Sequence, residues 1–288
     1  FGADVDFLQT AKVSPDHQQR LRVWNTEMLQ ELASCDVAVV PTDWQRQQFP
    51  ACFQSSMQVI HEGVDVEGLA RLRPLQGQRP ECLPNDPDIE VLTYVSRCFE
   101  AYRGFPQAIK AICRLQQQRP KLHVLLAGHD GTAYGTPRED GRGWAQWARE
   151  TLPLDPQRTH WMGSLQDREY RQLLAVSDVH LYLTVPFILS WSLLEAMAAG
   201  CCIVASNTAP VREVLTDGDT GVLVDFFSSE LQANAIEALL DSDDRRCSLA
   251  DAARRASHAY DSKVGLQAWV RLMSVNSDQT AQRPGRGP

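Results

Sequence analysis

An almost wholly apolar run extends from Leu181 to Val204, and Glu195 is its only charged residue. The run is long enough to form a membrane-spanning helix. Against that interpretation, Pro186 and Gly200 interrupt it, and no cluster of Lys or Arg flanks either end. The alternative is a buried strand, a turn, a helix and a second buried strand, which is the crossover unit of parallel sheets. We predict the crossover, in which Glu195 needs a partner or a ligand because an unpaired buried carboxylate is costly.

The net charge and the cysteines indicate which kinds of partner, metal site and cellular compartment fit this chain. The 288 residues carry a formal net charge of -8 at pH 7 and have no basic stripe, which argues against a nucleic-acid partner. The eight cysteines are scattered, without a CxxC pair or a Cys/His cluster at metal spacing. We therefore expect no metal site and a reducing, cytoplasmic location. The chain begins FGADVDF, without Met or a signal peptide, which suggests a fragment without its true N-terminus.

Strands and helices alternate along nearly the whole sequence. The apolar patterns predict strands over 37–42, 58–63, 90–96, 123–129, 159–164, 179–184, 202–206 and 221–226. They predict helices over 22–34, 106–118, 144–150, 167–176, 190–199, 230–240 and 245–259. This alternation predicts an α/β fold with parallel sheets and helices on both sheet faces.

The least regular interior stretch, residues 69–88, is rich in Pro, Gln and Arg and predicts a linker. It would separate a first unit, residues 1–68, from a longer second unit, residues 89–275, which has its own β-α repeats and C-terminal helices. The polar residues 276–288 predict a disordered tail.

Two arginines follow the predicted strand over 90–96. Arg97 and Arg103 lie in a loop that leads to Pro106, a residue suited to the first turn of a helix. Open α/β sheets bind ligands at the carboxyl ends of their strands, and a guanidinium donates several hydrogen bonds to a phosphate. The alternative is that both arginines are solvated or structural.

The helix predicted inside the apolar run begins near Ser190 and Ser192, either of which could cap it. Free N–H groups and the positive dipole end at such a start favour an anion. Glu195 lies about one turn further on, where it could accept hydrogen bonds from sugar hydroxyls. The alternative for Glu195 is a helix-capping or ion-pairing carboxylate.

The order of several motifs resembles the nucleotide-sugar-binding domain of glycosyltransferase family 4, which has the GT-B fold. The motifs are Arg97 with YRGF, AGHDG, HWMGSLQDREYRQLLAVSDVHLYLT, LLEAMAAGCCIVAS and TAPVREVLTDGDTGVLVD. The resemblance extends from Val91 to about Asp225, and upstream VIHEGVD resembles the end of the acceptor-side domain. It implies two Rossmann-like domains with parallel sheets, the first one incomplete. The acceptor-side residues of the family would precede Phe1, so the chain by itself is expected to be inactive.

The resemblance also implies a donor site. Arg97 and Arg103 would hold the donor diphosphate, and Glu195, the second Glu of the family's pair, would bind the ribose. Amides at 190–192 would take the distal phosphate, and residues 163–164 would lie near the base. The complete set of substrate-binding candidates is Gly63, Gly128, His129, Gly163, Ser164, Phe187, Ser190, Trp191, Ser192 and Leu193.

The sequence departs from the family at Phe187, which stands where the first Glu of the pair would face the transferred sugar. The resemblance implies a metal-independent hexosyltransferase that retains the anomeric configuration and uses a nucleotide-sugar donor as its substrate. The acceptor would be a glycan, a lipid or another molecule in polysaccharide or glycolipid synthesis, with peripheral contact at the inner face of the membrane. The alternative is a non-catalytic nucleotide-sugar-binding or interaction module, which Phe187 favours.

The sequence does not fit a dehydrogenase and shows no histidine ligand site. A Rossmann dehydrogenase needs a GxGxxG fingerprint after its first strand, and the sequence has none. The histidines at 61, 123, 129, 160 and 180 lie in or at the ends of predicted strands, with no pair at ligand spacing, which indicates structural roles. His129, which ends a strand, is kept as a candidate near the donor.

Overall fold

The structure is a computed structural model and describes residues 7–8, 14–71 and 79–281. The first unit, residues 14–71, is built on a short parallel sheet in which Ala38 pairs with Met57 and Val40 with Val59. Its elements are α1 (Pro15–Ser34), β1 (Ala38–Val40), α2 (Asp43–Gln47), α3 (Ala51–Gln54), β2 (Met57–Val59) and α4 (Val66–Ala70).

The second unit, residues 79–260, contains a six-stranded, wholly parallel sheet in the order β5-β4-β3-β6-β7-β8. The strands are β3 (Glu90–Cys98), β4 (Leu122–His129), β5 (Thr159–Gly163), β6 (Val179–Tyr182), β7 (Ile203–Ser206) and β8 (Val222–Val224). Strands β4 and β5 follow on one side of β3, and strands β7 and β8 follow on the opposite side of β6. The topology therefore reverses between the two central strands.

Helices cover both faces of this sheet. They are α5 (Phe105–Gln118), α6 (Trp144–Thr151), α7 (Asp167–Ala175), α8 (Trp191–Ala199), α9 (Ala209–Arg212), α10 (Ser229–Leu240) and α11 (Asp243–Ser257), and the chain continues into α12 (Ser262–Ala281). Successive strand residues belong to different apolar clusters: Leu92 packs with Ile109 of α5, whereas Val91 packs in the cluster that contains Leu193 of α8. Because side chains alternate across a strand, both faces of the sheet are buried.

The apolar run forms the predicted crossover. It contains the end of β6, the whole of α8 and the start of β7, and all eight predicted strands and seven predicted helices occur in the structure. Ser190 caps α8, and Gly200 ends it with φ +76, a left-handed conformation that glycine adopts without strain. Within the described part of the chain, no helix is both long and apolar enough to cross a membrane.

Two expectations about segment boundaries differ from the structure. Helix α12 extends to Ala281, so the first part of the predicted tail is helical, and residues 282–288 lie outside the described residues. Helix α4 extends to Ala70, into the predicted linker, of which residues 72–78 also lie outside the described residues. The sequence patterns also missed α2, α3, α4, α9 and α12, because most of these helices are only one turn long. The other domain boundaries remain predictions.

The C-terminal helix contacts the first unit. Val64 forms a parallel bridge with Asp261, and the Ser262 N–H donates to the Val64 carbonyl oxygen at 3.0 Å. Lys263 Nζ lies 2.9 Å from Glu67 Oε2. The end of the chain therefore packs on the segment that ends the first unit.

Candidate donor-binding site

The candidate site lies where the strand order reverses. The loops that follow β3 and β6 leave adjacent strands at the same edge of the sheet and continue to opposite sides. Open α/β sheets bind ligands in the crevice at such a point. Arg97 and Arg103 follow or end β3, whereas Phe187 and Ser190 follow β6. The topology therefore brings together the two motifs that the sequence places about ninety residues apart.

Arg103 is buried, with 7% of its surface exposed. Its Nη1 donates to Thr184 Oγ1 at 2.9 Å and to the Ile188 carbonyl oxygen at 3.3 Å. Its guanidinium carbon lies 5.4 Å from the centroid of the Tyr134 ring and 5.6 Å from that of Phe187. Arg103 has no carboxylate partner within the described residues, so none of them neutralises its buried positive charge.

The backbone of Arg103 is held in place by two neighbouring features. Tyr94 donates its hydroxyl hydrogen to the Arg103 carbonyl oxygen at 2.6 Å. Gly104 follows with φ +64, and a Cβ at this position would lie 2.5 Å from the Leu183 Cβ. Only glycine therefore allows the loop to approach the end of β6 this closely.

Arg97 differs from Arg103 in its exposure. It lies in the last part of β3, its side chain is exposed, and the structure shows no hydrogen bond or ion pair for it with any described residue. Its guanidinium is therefore available to an anion. The two arginines therefore supply one exposed positive charge at the end of β3 and one buried positive charge in the loop that follows it.

Most backbone N–H groups at the start of α8 already have acceptors within the protein, so fewer are free for a phosphate than the sequence suggested. The Ser190 N–H donates to the Tyr182 hydroxyl oxygen at 3.1 Å, and the Ser192 N–H donates to Ser190 Oγ at 3.3 Å. The Leu193 N–H donates to the Ser190 carbonyl oxygen at 3.2 Å. Of the amides at 190–193, that of Trp191 alone lacks an acceptor among the described residues.

Glu195 is partly buried and has a partner that the sequence patterns did not reveal. The Tyr170 hydroxyl donates to Glu195 Oε2 at 2.8 Å. Burial raises the pKa of Glu195 above its ordinary value, and the hydrogen bond from Tyr170 opposes that rise. Burial, together with the neighbouring carboxylate, raises the pKa of Tyr170 well above its usual value. No sequence pattern connects these residues, since they come from different helices.

Phe187 belongs to a group of aromatic rings. Its ring centroid lies 5.1 Å from that of Tyr134 and 5.8 Å from that of Tyr102. Tyr134 comes from the loop after β4, and Glu100 accepts hydrogen bonds from the backbone of that loop. Sequence reasoning missed Tyr134, Tyr102 and Glu100, although Glu100 lies between the two arginines.

Of the other substrate-binding candidates, some are exposed at the edge of the sheet and others pack against neighbouring backbone. A Cβ at Gly128 would lie 2.5 Å from the Ser96 carbonyl oxygen, so this glycine permits close packing of β4 on β3. His129, Gly163 and Ser164 are exposed at the carboxyl ends of β4 and β5. A Cβ at Gly63 would lie 2.5 Å from the Ser262 backbone, so the contact shown for Gly63 is with the start of α12.

Two other histidines form a pair that the sequence spacing did not suggest. His123 Nδ1 lies 3.0 Å from His160 Nε2, and the rings are stacked with centroids 5.3 Å apart. Both residues lie near the amino ends of their strands, at the opposite edge of the sheet from the arginines. Burial lowers the pKa of both imidazoles. The neutral pair therefore fits a structural role.

Comparison with known families bears on the same residues. A family model described as glycosyl transferases group 1 matches residues 80–256, which is more than half of the chain. A second, the glycosyl transferase family 4 group, matches residues 1–69. The chain belongs to glycosyltransferase family 4. The family membership expected from the motif order is confirmed.

Two curated relatives of this family 4 chain act on inositol compounds, according to their names. Phosphatidyl-myo-inositol mannosyltransferase from Mycolicibacterium smegmatis is 26% identical over 85% of the chain. D-inositol 3-phosphate glycosyltransferase from Corynebacterium aurimucosum is 31% identical over 57% of the chain. The matched parts make up 56% and 38% of those proteins, so the chain spans about half of their length or less.

Solved structures show the fold of this family 4 chain. Anabaena HepE in complex with UDP and glucose matches 91% of the chain and 69% of its own, with a TM-score of 0.72 and 20% identity. Sucrose-phosphate synthase from Thermosynechococcus elongatus matches 93% of the chain and 64% of its own, with a TM-score of 0.69 and 20% identity. The predicted α/β fold of GT-B type is confirmed.

Proposed function

We propose that this protein binds a nucleoside-diphosphate sugar between the loops after β3 and β6 and transfers its sugar to an acceptor. The observation that carries the proposal is Arg103, a guanidinium with 7% of its surface exposed and no carboxylate partner among the described residues. A buried charge without a counter-ion is costly unless an anion binds beside it. Exposed Arg97 and the free Trp191 amide would supply further donors to the same diphosphate.

The charges support a mechanism without a metal ion. As the bond between the anomeric carbon and the donor phosphate oxygen breaks, negative charge grows on the diphosphate, and Arg97 and Arg103 would stabilise it. The acceptor oxygen would bond to the same face of that carbon. The acceptor's proton would pass to the released phosphate oxygen. Because the new bond forms on the face from which the phosphate leaves, the product would retain the anomeric configuration.

Glu195 would bind the nucleotide ribose. Its Oε2 is engaged by Tyr170, and the other carboxylate oxygen has no hydrogen bond from a described residue. A carboxylate oriented by a tyrosine can accept a hydrogen bond from a ribose hydroxyl. His129, exposed at the end of β4, would lie on the donor side of the crevice.

The names of the relatives support a choice of acceptor. Both named relatives carry inositol in their names, one of them as phosphatidyl-myo-inositol. We therefore favour an inositol-containing acceptor in glycolipid synthesis. A lipid acceptor would bring the protein into peripheral contact with a membrane, and we propose the inner, cytoplasmic face.

A second function is favoured by Phe187. Its ring packs on Arg103 at the position where the family resemblance places a carboxylate facing the sugar. A site without that carboxylate could bind a nucleotide sugar and not turn it over. The protein would then be a binding or interaction module.

The test measures binding and turnover separately. UDP, GDP and ADP and their hexose conjugates are titrated into a version of the protein that includes the family's acceptor-side residues, and nucleotide release is followed with vesicles containing phosphatidylinositol, with and without EDTA. We expect tight binding of one nucleoside diphosphate and EDTA-resistant turnover. Arg103→Ala should weaken that binding by about 10- to 100-fold, because a charge-assisted hydrogen bond contributes about 1.5–3 kcal/mol.

Arg114→Ala is the matched control, since Arg114 is paired with Glu230 on the surface and should not affect nucleotide binding. Equal dissociation constants for Arg103→Ala and the unchanged protein would refute the donor site. Binding without turnover would support the module instead. Turnover abolished by EDTA and restored by Mg²⁺ would refute metal independence.

A further inference from the structure

The Arg103 guanidinium rests on two aromatic rings. Its carbon and the ring centroids of Tyr134 and Phe187 form a nearly equilateral triangle, with sides of 5.4, 5.6 and 5.1 Å. Both separations from the guanidinium lie within the roughly 6 Å range of a cation–π interaction. The two rings therefore attract the cation without carrying a formal negative charge.

Glu100 is the carboxylate closest to Arg103 along the loop, yet it bonds elsewhere. Only 1% of its surface is exposed, and its Oε2 accepts hydrogen bonds from the Tyr134 N–H at 3.0 Å and the Gly135 N–H at 2.8 Å. Its Oε1 is buried without a partner among the described residues. Glu100 therefore fixes the backbone that carries Tyr134 and leaves the guanidinium charge intact.

The segment that carries Tyr134 is also fixed from its other side. A Cβ at Gly135 would lie 2.8 Å from the Tyr102 ring, so only a residue without a side chain fits between that ring and Glu100. Tyr102 in turn packs edge-on against Phe187. Each ring that contacts Arg103 therefore has a further support: Glu100 holds the backbone of Tyr134, and the Tyr102 ring packs against Phe187.

We propose that Tyr134 and Phe187, here named the arginine clamp, are positioning residues that hold the Arg103 guanidinium for the donor diphosphate, and that Glu100 sets the clamp. This rests on the proposed donor site. An acidic partner would orient the guanidinium equally well but would cancel the charge that the diphosphate needs. The clamp orients it at little electrostatic cost.

The clamp makes a specific prediction for binding. Tyr134→Leu should weaken nucleoside-diphosphate binding by about 3- to 10-fold, the range that corresponds to loss of one partly buried cation–π contact. Tyr134→Phe, which keeps the ring, should restore most of the binding that Tyr134→Leu loses. Glu100→Ala should weaken binding similarly, and Glu100→Gln, which retains an acceptor oxygen for the two N–H groups, should restore much of it.

A double-mutant cycle separates positioning from general destabilisation. In an Arg103→Ala background, Tyr134→Leu should have no further effect on nucleoside-diphosphate binding, because the group that it positions is gone. An equal loss in both backgrounds would overturn the proposal.

An NMR measurement on the ligand-free protein tests the clamp independently of the donor site. The Arg103 Nε–H signal, assigned by its loss in Arg103→Lys, should carry a ring-current shift that decreases in Tyr134→Leu. Trp147→Leu is the control: Trp147 lies 5.0 Å from the Arg138 guanidinium, so this variant should move the Arg138 signal and not that of Arg103. An unmoved Arg103 signal in Tyr134→Leu would refute the clamp, whereas absence of nucleotide binding by the unchanged protein would refute the donor site.

Discussion

Buried charges in this protein are compensated in two ways. Away from the candidate site, Arg119 is paired with Glu90 at 2.5 Å and with Asp241 at 2.8 Å. At the site, Arg103 contacts rings, a hydroxyl and a carbonyl, and Glu195 contacts a tyrosine hydroxyl. The two carboxylates balance the positive charge of Arg119, so no net positive charge remains there to attract an anion. The site residues keep their charge available, as ligand binding requires.

At the residue scale, Tyr170→Phe tests the support of Glu195. Loss of the 2.8 Å hydrogen bond leaves a partly buried carboxylate without its donor, so we expect the free energy of unfolding at pH 7 to fall by about 1–3 kcal/mol. Urea denaturation measures this. Tyr260→Phe is the matched control, because its hydroxyl makes only a 3.4 Å bond to the Glu213 carbonyl oxygen and its loss should cost below about 0.5 kcal/mol. Equal costs in the two variants would contradict the assignment.

The element that positions Arg103 is the turn between β3 and α5. It comprises a 3₁₀ turn over 101–103 and Gly104, which adopts a left-handed conformation before the helix starts at Phe105. Pro106 fits the first turn of α5, where its missing N–H costs nothing. The turn therefore combines the backbone freedom of glycine with the rigidity of proline to direct Arg103 toward β6.

Gly104→Ala tests the packing of this turn. The substitution adds a left-handed strain of about 1–2 kcal/mol and a Cβ placed 2.5 Å from Leu183, so we expect a loss of about 2–4 kcal/mol in the free energy of unfolding. Gly163→Ala is the matched control, since Gly163 has the same φ of +64 and no atom within 4 Å of an added Cβ. Gly163→Ala should lose only about 1–2 kcal/mol in its free energy of unfolding, from the left-handed strain. The interpretation fails if both variants lose the same stability in urea.

At the scale of the whole molecule, the central sheet buries a histidine whose neutral form the fold requires. His180 is fully buried on β6, and its Nδ1 lies 2.8 Å from Thr93 Oγ1 on β3. Burial lowers the pKa of His180 from 6.5 to about 4. The folded protein therefore binds fewer protons than the unfolded chain between these pH values, and stability falls as the pH drops through this window.

The pH dependence of unfolding measures this effect. Between pH 7.5 and pH 5 we expect His180 to account for a loss of about 2 kcal/mol in the free energy of unfolding. His180→Asn, which can still hydrogen-bond Thr93, should keep only the smaller slope from His61, His123 and His160, whose pKa values burial also lowers. The same slope in the variant and the unchanged protein would show that His180 does not titrate in this way.

Much of the second unit could be predicted because its information is local. Strands and helices show apolar patterns of period two and period 3.6, which are visible within a few residues. The ends of α8 are marked just as locally, by Ser190 before the helix and Gly200 after it, and the structure contains each of these features. The missed helices α2 and α3 are five and four residues long and bury no side chain, so they leave no apolar pattern. Helix α12 extends beyond the expected start of the tail because neighbouring polar residues alone do not end a helix.

By itself, the sequence determined the alternation of strands and helices, the crossover around Glu195 and the family, since each depends on residues close together or on the order of motifs. Only the tertiary structure decided which side chains meet. Tyr170 reaches Glu195 because α7 and α8 pack against each other. Tyr134 reaches Arg103 because the strand order places the loops after β3 and β4 side by side. The strand order depends on how whole helices pack on both faces of the sheet, and no local pattern carries that information.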